Sequence, residues 1–230
     1  MATAVALAVD VDVPPYGLSG TVYGTLLNHR TALAALGTSV SEAPYKGAPQ
    51  APVLYIKPRN TLAGNGATVT VPADAPELEV GACLGLVIGR TACRVPEEGA
   101  REYLAGYLIV NDVSVPHASY HRPAIRFKAR DGFCPLGPRV VPRNAVQDPD
   151  ALTIRVHVDG ELKHTATTAE LIRPTAKLLA DVTEFMTLAP GDVLAVGVAH
   201  PAPRVRAGQH VSIEIDGLGR LENRFAGASP

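Results

Sequence analysis

Apolar positions recur along this chain with two periods, and the shorter one dominates. Gly20–Leu27 alternates as a strand. Val53–Lys57 does the same and is stopped by Pro58. The tight turn Gly64-Asn65-Gly66 leads into a short strand, Ala67–Val71. Leu78–Arg90 reads as one long apolar strand, and Tyr107–Val110 as a strand buried on both faces. Leu152–Val158 alternates and ends at Asp159-Gly160, a strong hairpin signal. Val193–Val198 is a further buried strand, and Val211–Asp216 with Arg220–Phe225 closes the chain as a hairpin. The longer, helical period is clear once. Pro174 opens a helix whose apolar face is Leu178, Leu179, Val182, Phe185 and Met186. Two shorter helices are expected. One runs from Asn28 as N-cap through Leu36 with Gly37 as its stop; the other is Pro96–Ala105, with Glu97 and Glu98 in its first turn. Thr167-x-x-Glu170 has the form of a capping box. The prediction is a strand-dominated α+β fold with mixed sheet, an irregular arm over residues 1–16 and one domain over 17–230.

Polar chemistry concentrates in Arg101–Pro138. Tyr107–Val110 delivers Asn111-Asp112 at its end, and Ser114, His117, Tyr120 and His121 follow. Arg122, Arg126, Lys128 and Arg130 then bring four cations into nine residues, with Asp131 directly behind. Ile125, Phe127 and Ala129 alternate with these cations, which predicts a strand with one charged face. Phe133–Pro138 reads as a rigid apolar turn. A charge run is ordinarily a solvated face. The alternation and the stiff boundaries instead favour a site for an anionic substrate, since arginine holds a carboxylate with two parallel hydrogen bonds.

Composition narrows this further. The 230 residues are 47% hydrophobic, enough for a sizeable core, and the 20 prolines and 21 glycines fit a turn-rich fold. A net charge of −1 gives no reason to expect a nucleic-acid partner. Cys83, Cys93 and Cys134 follow no metal spacing and are an odd number, against a disulfide framework. Ala2–Val9 is apolar but short, Asp10 interrupts it, and no Lys or Arg precedes Arg30. Neither a signal peptide nor a membrane span is expected, and the chain reads as soluble and cytoplasmic.

These motifs together resemble the fumarylacetoacetate hydrolase superfamily. They are GYLIVNDVS, K-x-x-D-x-F-x-P-L-G-P at Lys128–Pro138, Lys57-Pro58 with Asn60-Thr61, Phe185-Met186-Thr187-Leu188 before Pro190-Gly191-Asp192, and VSIEIDGLGRLEN at Val211–Asn223. The segments LLNHR, APYK, KPRNT and YHRPAI are similar to the N-terminal-type half of its isomerase/decarboxylase members of homoprotocatechuate breakdown. The resemblance implies the family's mixed β-sheet fold with a site at an open end of the sheet.

It also marks departures. Hydrolytic members activate water with a His and a Glu on the first helix, at places held here by Ala32 and Ala35. His29 is adjacent but would point elsewhere around a helix, which makes it structural or a substrate contact. Metal-binding members carry two glutamates where this chain has Gly81 and Cys83. Glu77 and Glu79 lie four residues early, about 13 Å along a strand. Asp112 alone remains as a metal ligand. A divalent cation, Mg²⁺ or Mn²⁺, is usual in the family, yet the expectation here is that none is required. Where the family usually has Gly-Thr this chain has Gly197-Val198, with His200 just beyond.

The resemblance thus implies catalytic roles for Lys128, Asp131, Asp112 and His121, and substrate binding by Arg122, Arg126, Arg59 and Tyr120. The expected activity is isomerisation or decarboxylation of an unsaturated 2-oxo di- or tricarboxylate. The alternatives are an acylpyruvate-type C–C hydrolase and a catalytically silent scaffold. The expected partners are a small anionic substrate and either a second copy or a homologous metal-bearing subunit, from which a chain of 230 residues would be separate.

Overall fold

The computed structural model describes residues 7–8, 20–117 and 124–228. Two sheets carry the fold. The larger runs β1 (Leu7–Ala8), β9 (Cys134–Pro142), β8 (Leu104–Asn111), β7 (Ala82–Ile88), β12 (Val193–Ala195), β2 (Val22–Leu26) and β3 (Val53–Lys57), with β4 (Leu62–Ala63) added parallel to β9. Its pairs are antiparallel except β12 with β2 and β4 with β9. The second sheet runs β11 (Glu161–Thr167), β10 (Thr153–Val158), β14 (His210–Ile215), β15 (Gly219–Gly227) and β5 (Thr68–Val71). A small ribbon pairs β6 (Leu78–Glu79) with β13 (Arg204–Val205). The helices are α1 (Arg30–Ala34), α2 (Ile125–Lys128) and α3 (Thr175–Phe185).

Alternation explains the packing. On β7 and β8, Leu84, Leu86, Tyr107 and Ile109 point into the main core, which Val156, Ile213 and Leu221 of the second sheet also enter. The intervening Cys83, Val87, Leu108 and Val110 point to a smaller cluster on the opposite face. Both faces of these central strands are therefore buried, as their unbroken apolar runs require. Each fully buried leucine or isoleucine stabilises the fold by about 1.5–3 kcal/mol. The Asp159-Gly160 hairpin forms with both residues at positive φ, 51° and 82°.

Several local expectations are corrected. Leu78–Arg90 is not one strand: β6 pairs with β13, and the chain crosses to the large sheet at Val80-Gly81 before β7. A methyl group on Gly81 would overlap the Asp112 carbonyl oxygen, so glycine permits the crossing. Phe133–Pro138 is no turn, because Cys134 opens β9. The predicted helix Pro96–Ala105 shrinks to a 3-10 turn at Ala100–Tyr103, and β8 claims Leu104. His29, not Asn28, caps α1, its ring accepting from Thr31 N. Asn28 is buried and ties loops instead, donating to Val196 O at 2.8 Å and accepting from Arg173 N at 2.9 Å. Thr167 does cap, but only the 3-10 turn Thr168–Glu170. On α3, Phe185 faces outward and is 62% exposed. Ile125–Lys128 is a helical turn, closed by Lys128 N to Ala124 O at 2.8 Å. No helix among the described residues is long and apolar enough to cross a membrane.

Candidate active site

The large sheet ends at β8 in Asn111, and Asp112 follows, fully buried. On β3, Tyr55 and Lys57 are two residues apart and share a face, which points at Asp112. Lys128, the last residue of α2, arrives from the other side. Lys57 Nζ lies 2.7 Å from Asp112 Oδ1 and Lys128 Nζ 2.6 Å from Oδ2, while the Tyr55 hydroxyl donates to Oδ2. A methyl on Gly24 would overlap the Tyr55 ring, so Gly24 lets that ring lie flat across β2.

The two lysines differ in their other partners. Lys57 also donates to the carbonyls of Val113, Lys128 and Phe133 at 2.8–2.9 Å. These three carbonyls take the three hydrogens of the ammonium, so Lys57 meets Asp112 Oδ1 as an ion pair without a hydrogen bond. Lys128 meets one acceptor among the described residues, Asp112, and sits 4.8 Å over the Tyr55 ring. Two ammonium groups around one carboxylate leave one excess positive charge, at Lys128. Burial by itself would raise the Asp112 pKa, but Lys128 and Lys57 outweigh it and hold the carboxyl well below its ordinary range. Burial pulls Lys57 down, with Asp112 opposing, and pushes the Tyr55 hydroxyl up.

Tyr55, Asp112 and Lys128 form one wall of a cavity, with Lys57 behind it. Glu79, Gly81, Ser114 and His117 line it beside Asp112 and Lys128. Glu79 and Ser114 are locked by backbone pairing, Glu79 N to Ser114 O at 2.8 Å, and the Glu79 carboxylate lies 4.0 Å from Arg204. The His117 ring stacks on Phe127 at 4.9 Å and 7°, with Nδ1 2.9 Å from Val115 O. Ala32, Val198 and His200 line it as well, and His29 is buried as the α1 cap, where burial lowers its pKa.

The structure thus separates the residues that the sequence grouped. Asp112 and Lys128 meet in the cavity. Asp131 does not reach it; it is exposed and accepts from Asn60 Nδ2 at 2.7 Å. Arg126, 80% exposed, and Arg130 turn away to Asp74, whose pKa Arg130 pulls down to about 2. The reason is the helical turn: it sends Lys128 inward and Arg126 outward, where a strand would align them. Arg59 lies on an exposed 3-10 turn outside the cavity wall. Tyr120, His121 and Arg122 lie outside the described residues. Tyr55, Lys57, Glu79, Ser114 and His117 were not singled out as site residues. The alternation of β3, which puts Tyr55 and Lys57 on one face, is the sequence signal that points to the first two.

Among the described residues the donor set does not fit a divalent ion. Gly81 has no side chain and no room for one. Cys83 is turned into the smaller apolar cluster, where burial pushes its thiol far above the ordinary range. Both oxygens of Asp112 are taken by ammonium groups. Glu77 is held by Arg206 Nε at 2.8 Å. No group of three or more His, Cys, Asp or Glu that could hold a metal occurs among the described residues.

Comparison with known proteins places this geometry. Residues 21–226 match the family model for the fumarylacetoacetate (FAA) hydrolase C-terminal region. The chain is 41% identical over 206 residues to the 4-hydroxyphenylacetate degradation bifunctional isomerase/decarboxylase of Escherichia coli, covering 90% of this chain and 47% of that one. It therefore spans about half the length of the curated relatives it matches first. It is 31% identical to the mitochondrial oxaloacetate tautomerase fahd2 of Xenopus laevis, over 76% of this chain and 58% of the relative. Among solved structures, a 5-carboxymethyl-2-hydroxymuconate delta-isomerase from Mycobacterium smegmatis superposes with TM-score 0.79 at 30% identity, covering 93% of this chain and 81% of that one. A maleylpyruvate hydrolase from Sphingobium sp. SYK-6, in complex with manganese(II) and pyruvate, does so with TM-score 0.75 at 26% identity, covering 91% and 71%. Motifs, sheet topology and these matches agree, and the chain belongs to the fumarylacetoacetate hydrolase family, in its C-terminal-domain form.

Proposed function

We propose that this protein isomerises or decarboxylates an unsaturated 2-oxo di- or tricarboxylate in the breakdown of aromatic compounds, without a divalent cation. The observation that carries the reading is the buried excess charge: Asp112 is shared by Lys57 and Lys128, and Lys57 is already saturated. Both reactions pass through a dienolate whose oxygen bears negative charge. A fixed ammonium in a site screened from water stabilises that charge more than it stabilises the neutral ketone, and such differential stabilisation lowers the barrier. We assign this role to Lys128. The relatives named as isomerases and decarboxylases support the same chemistry. Hydrolysis needs a base that activates water, and at the place where hydrolytic members keep it the wall presents only the Ala32 methyl group.

Full ion pairing of Asp112 favours one competing reading, a silent subunit that supports a homologous metal-bearing one. We infer association either as a homodimer or with such a subunit, which light scattering alone and in mixture would detect. The functional test is turnover of 2-oxohept-3-ene-1,7-dioate and 5-carboxymethyl-2-hydroxymuconate, followed by NMR. The expected result is conversion that survives EDTA and falls at least a hundredfold in Lys128→Met. Cleavage of an acylpyruvate into two acids would establish the hydrolase instead. Activity that requires the added subunit and is indifferent to Lys128→Met would establish the scaffold.

A further inference from the structure

We infer that Glu79 is the catalytic base that moves the proton in this cavity. The inference rests on the isomerase reading above. An α,β-unsaturated 2-oxo acid bound against Lys128 becomes a dienolate only when a base takes a proton from its γ-carbon. Asp112 cannot serve, because two ammonium groups and the Tyr55 hydroxyl engage its oxygens. Lys128, as an ammonium, has no lone pair to offer. His117 has Nδ1 2.9 Å from Val115 O and Nε2 buried. Asp131 is exposed and tied to Asn60.

Glu79 is differently placed. Leu78 is wholly buried in the main core, so strand alternation turns its neighbour Glu79 the other way, toward the cavity that it lines. The backbone there is fixed. Glu79 and Ser114 exchange hydrogen bonds, Glu79 N to Ser114 O at 2.8 Å and Ser114 N to Glu79 O at 3.2 Å, and Asp112 N continues the pairing to Gly81 O at 2.9 Å. This register makes Glu79 a diagonal neighbour of Asp112, about 7–8 Å away between Cα atoms. The carboxylate is thus offset along the cavity wall from the ammonium of Lys128, as the γ-carbon of a dienolate is offset from its oxygen. The Glu79 side chain is 28% exposed, and among the described residues its oxygens accept no hydrogen bond. Arg204 stands 4.0 Å away and lies nearer to Glu77, at 3.5 Å. Glu79 therefore keeps its lone pairs for a substrate, as a general base must.

The step balances within the site. A Glu79 oxygen takes the γ proton, and the C–H electrons become the β,γ double bond. The former α,β pair moves between the α-carbon and the carbonyl carbon, and the carbonyl π pair goes to the oxygen, whose charge Lys128 holds. The oxygen pair then re-forms the carbonyl, and the α-carbon takes the proton from Glu79. One C–H bond breaks and one forms, no electrons leave, and Glu79 ends as a carboxylate.

Deuterium incorporation by the whole protein tests this. In D₂O, wild-type protein should place deuterium on the γ-carbon of 2-oxohept-3-ene-1,7-dioate, read by NMR. Glu79→Gln keeps the side-chain shape and the backbone pairing. It should slow incorporation by about 10²-fold or more, with the substrate's Kd within about threefold of wild type. Glu79→Asp keeps a carboxylate and should recover about tenfold of that loss. Arg204→Ala removes the neighbouring cation and leaves the carboxylate, so its rate should stay within about threefold of wild type. Incorporation that persists in Glu79→Gln, is lost equally in Glu79→Asp, or falls as far in Arg204→Ala would sink this inference and leave the isomerase reading standing. No incorporation by the wild-type protein would sink both.

Discussion

Lys57 and Lys128 share one carboxylate, yet removing them should have different consequences. Lys57 is 2% exposed and satisfies three backbone carbonyls that have been drawn away from water. Lys57→Met strands them together with one oxygen of Asp112. Breaking such a buried pair from one side costs about 3–5 kcal/mol, which denaturant titration would read as a marked fall in midpoint. Lys128→Met leaves Asp112 paired with Lys57 and Tyr55, so its main effect should appear in anion binding. Asp112 also sets an acid limit. Its pKa in the fold lies below the ordinary 3.8, so its ion pairs contribute stability above that value and lose it as pH falls toward the depressed one. Stability of Asp112→Asn should therefore fall less than wild type's below about pH 4, measured by urea unfolding across pH. Arg126, exposed and paired with Asp74, belongs to the surface. Arg126→Ala should leave dicarboxylate affinity within threefold, and a tenfold loss by calorimetry would contradict this placement.

At the scale of elements, most strands were legible, and the short helices only at α1. β2, β3, β10, β14 and β15 stand where alternation put them, because a face-by-face pattern of burial is local information. The Pro96–Ala105 prediction rested on terminal signals, and a single 3-10 turn satisfies those just as well. The alternation Ile125, Phe127, Ala129 spans five residues, too few to distinguish a strand from one helical turn. Asn28 is a stronger N-cap type than histidine, so the sequence points to a cap one residue early. Asn28 is instead used to join three loops, a contact 145 and 168 residues away in sequence. The cap has a testable pH signature. Burial depresses the His29 pKa from 6.5, so stability is present above that value and lost as pH falls through the lower folded one, when the ring must take a proton and Nδ1 ceases to accept. His29→Asn keeps an acceptor that does not titrate. Its melting temperature should fall less between pH 7 and 5 than that of wild type; equal slopes would contradict the role.

For the whole molecule, the family resemblance was legible because its motifs are strung in order along most of the chain. The site was legible only in part. Asp112 and Lys128 sit inside one conspicuous stretch, whereas Tyr55 and Lys57 reach them across 57 and 55 residues, through the pairing of β3 with β2 and of β7 with β8. The loss of the metal glutamates gains a physical counterpart in the fold. Lys57 and Lys128 engage both oxygens of the one remaining family ligand, and the chain crossing at Gly81 leaves no space for a carboxylate there. Gly81→Glu should accordingly destabilise the protein by about 1–3 kcal/mol, as overpacking does, and should not confer tight Mn²⁺ binding. The central claim is that a lysine-held charge, not a metal, receives the substrate's anionic end. Calorimetric titration with a 2-oxo dicarboxylate in excess EDTA tests it most directly. The account predicts binding by wild-type protein and a Kd raised tenfold or more in Lys128→Met, since a charge-assisted hydrogen bond contributes about 1.5–3 kcal/mol. Binding that vanishes in EDTA and returns with Mg²⁺ or Mn²⁺, or a Lys128→Met protein that binds as wild type does, would contradict it.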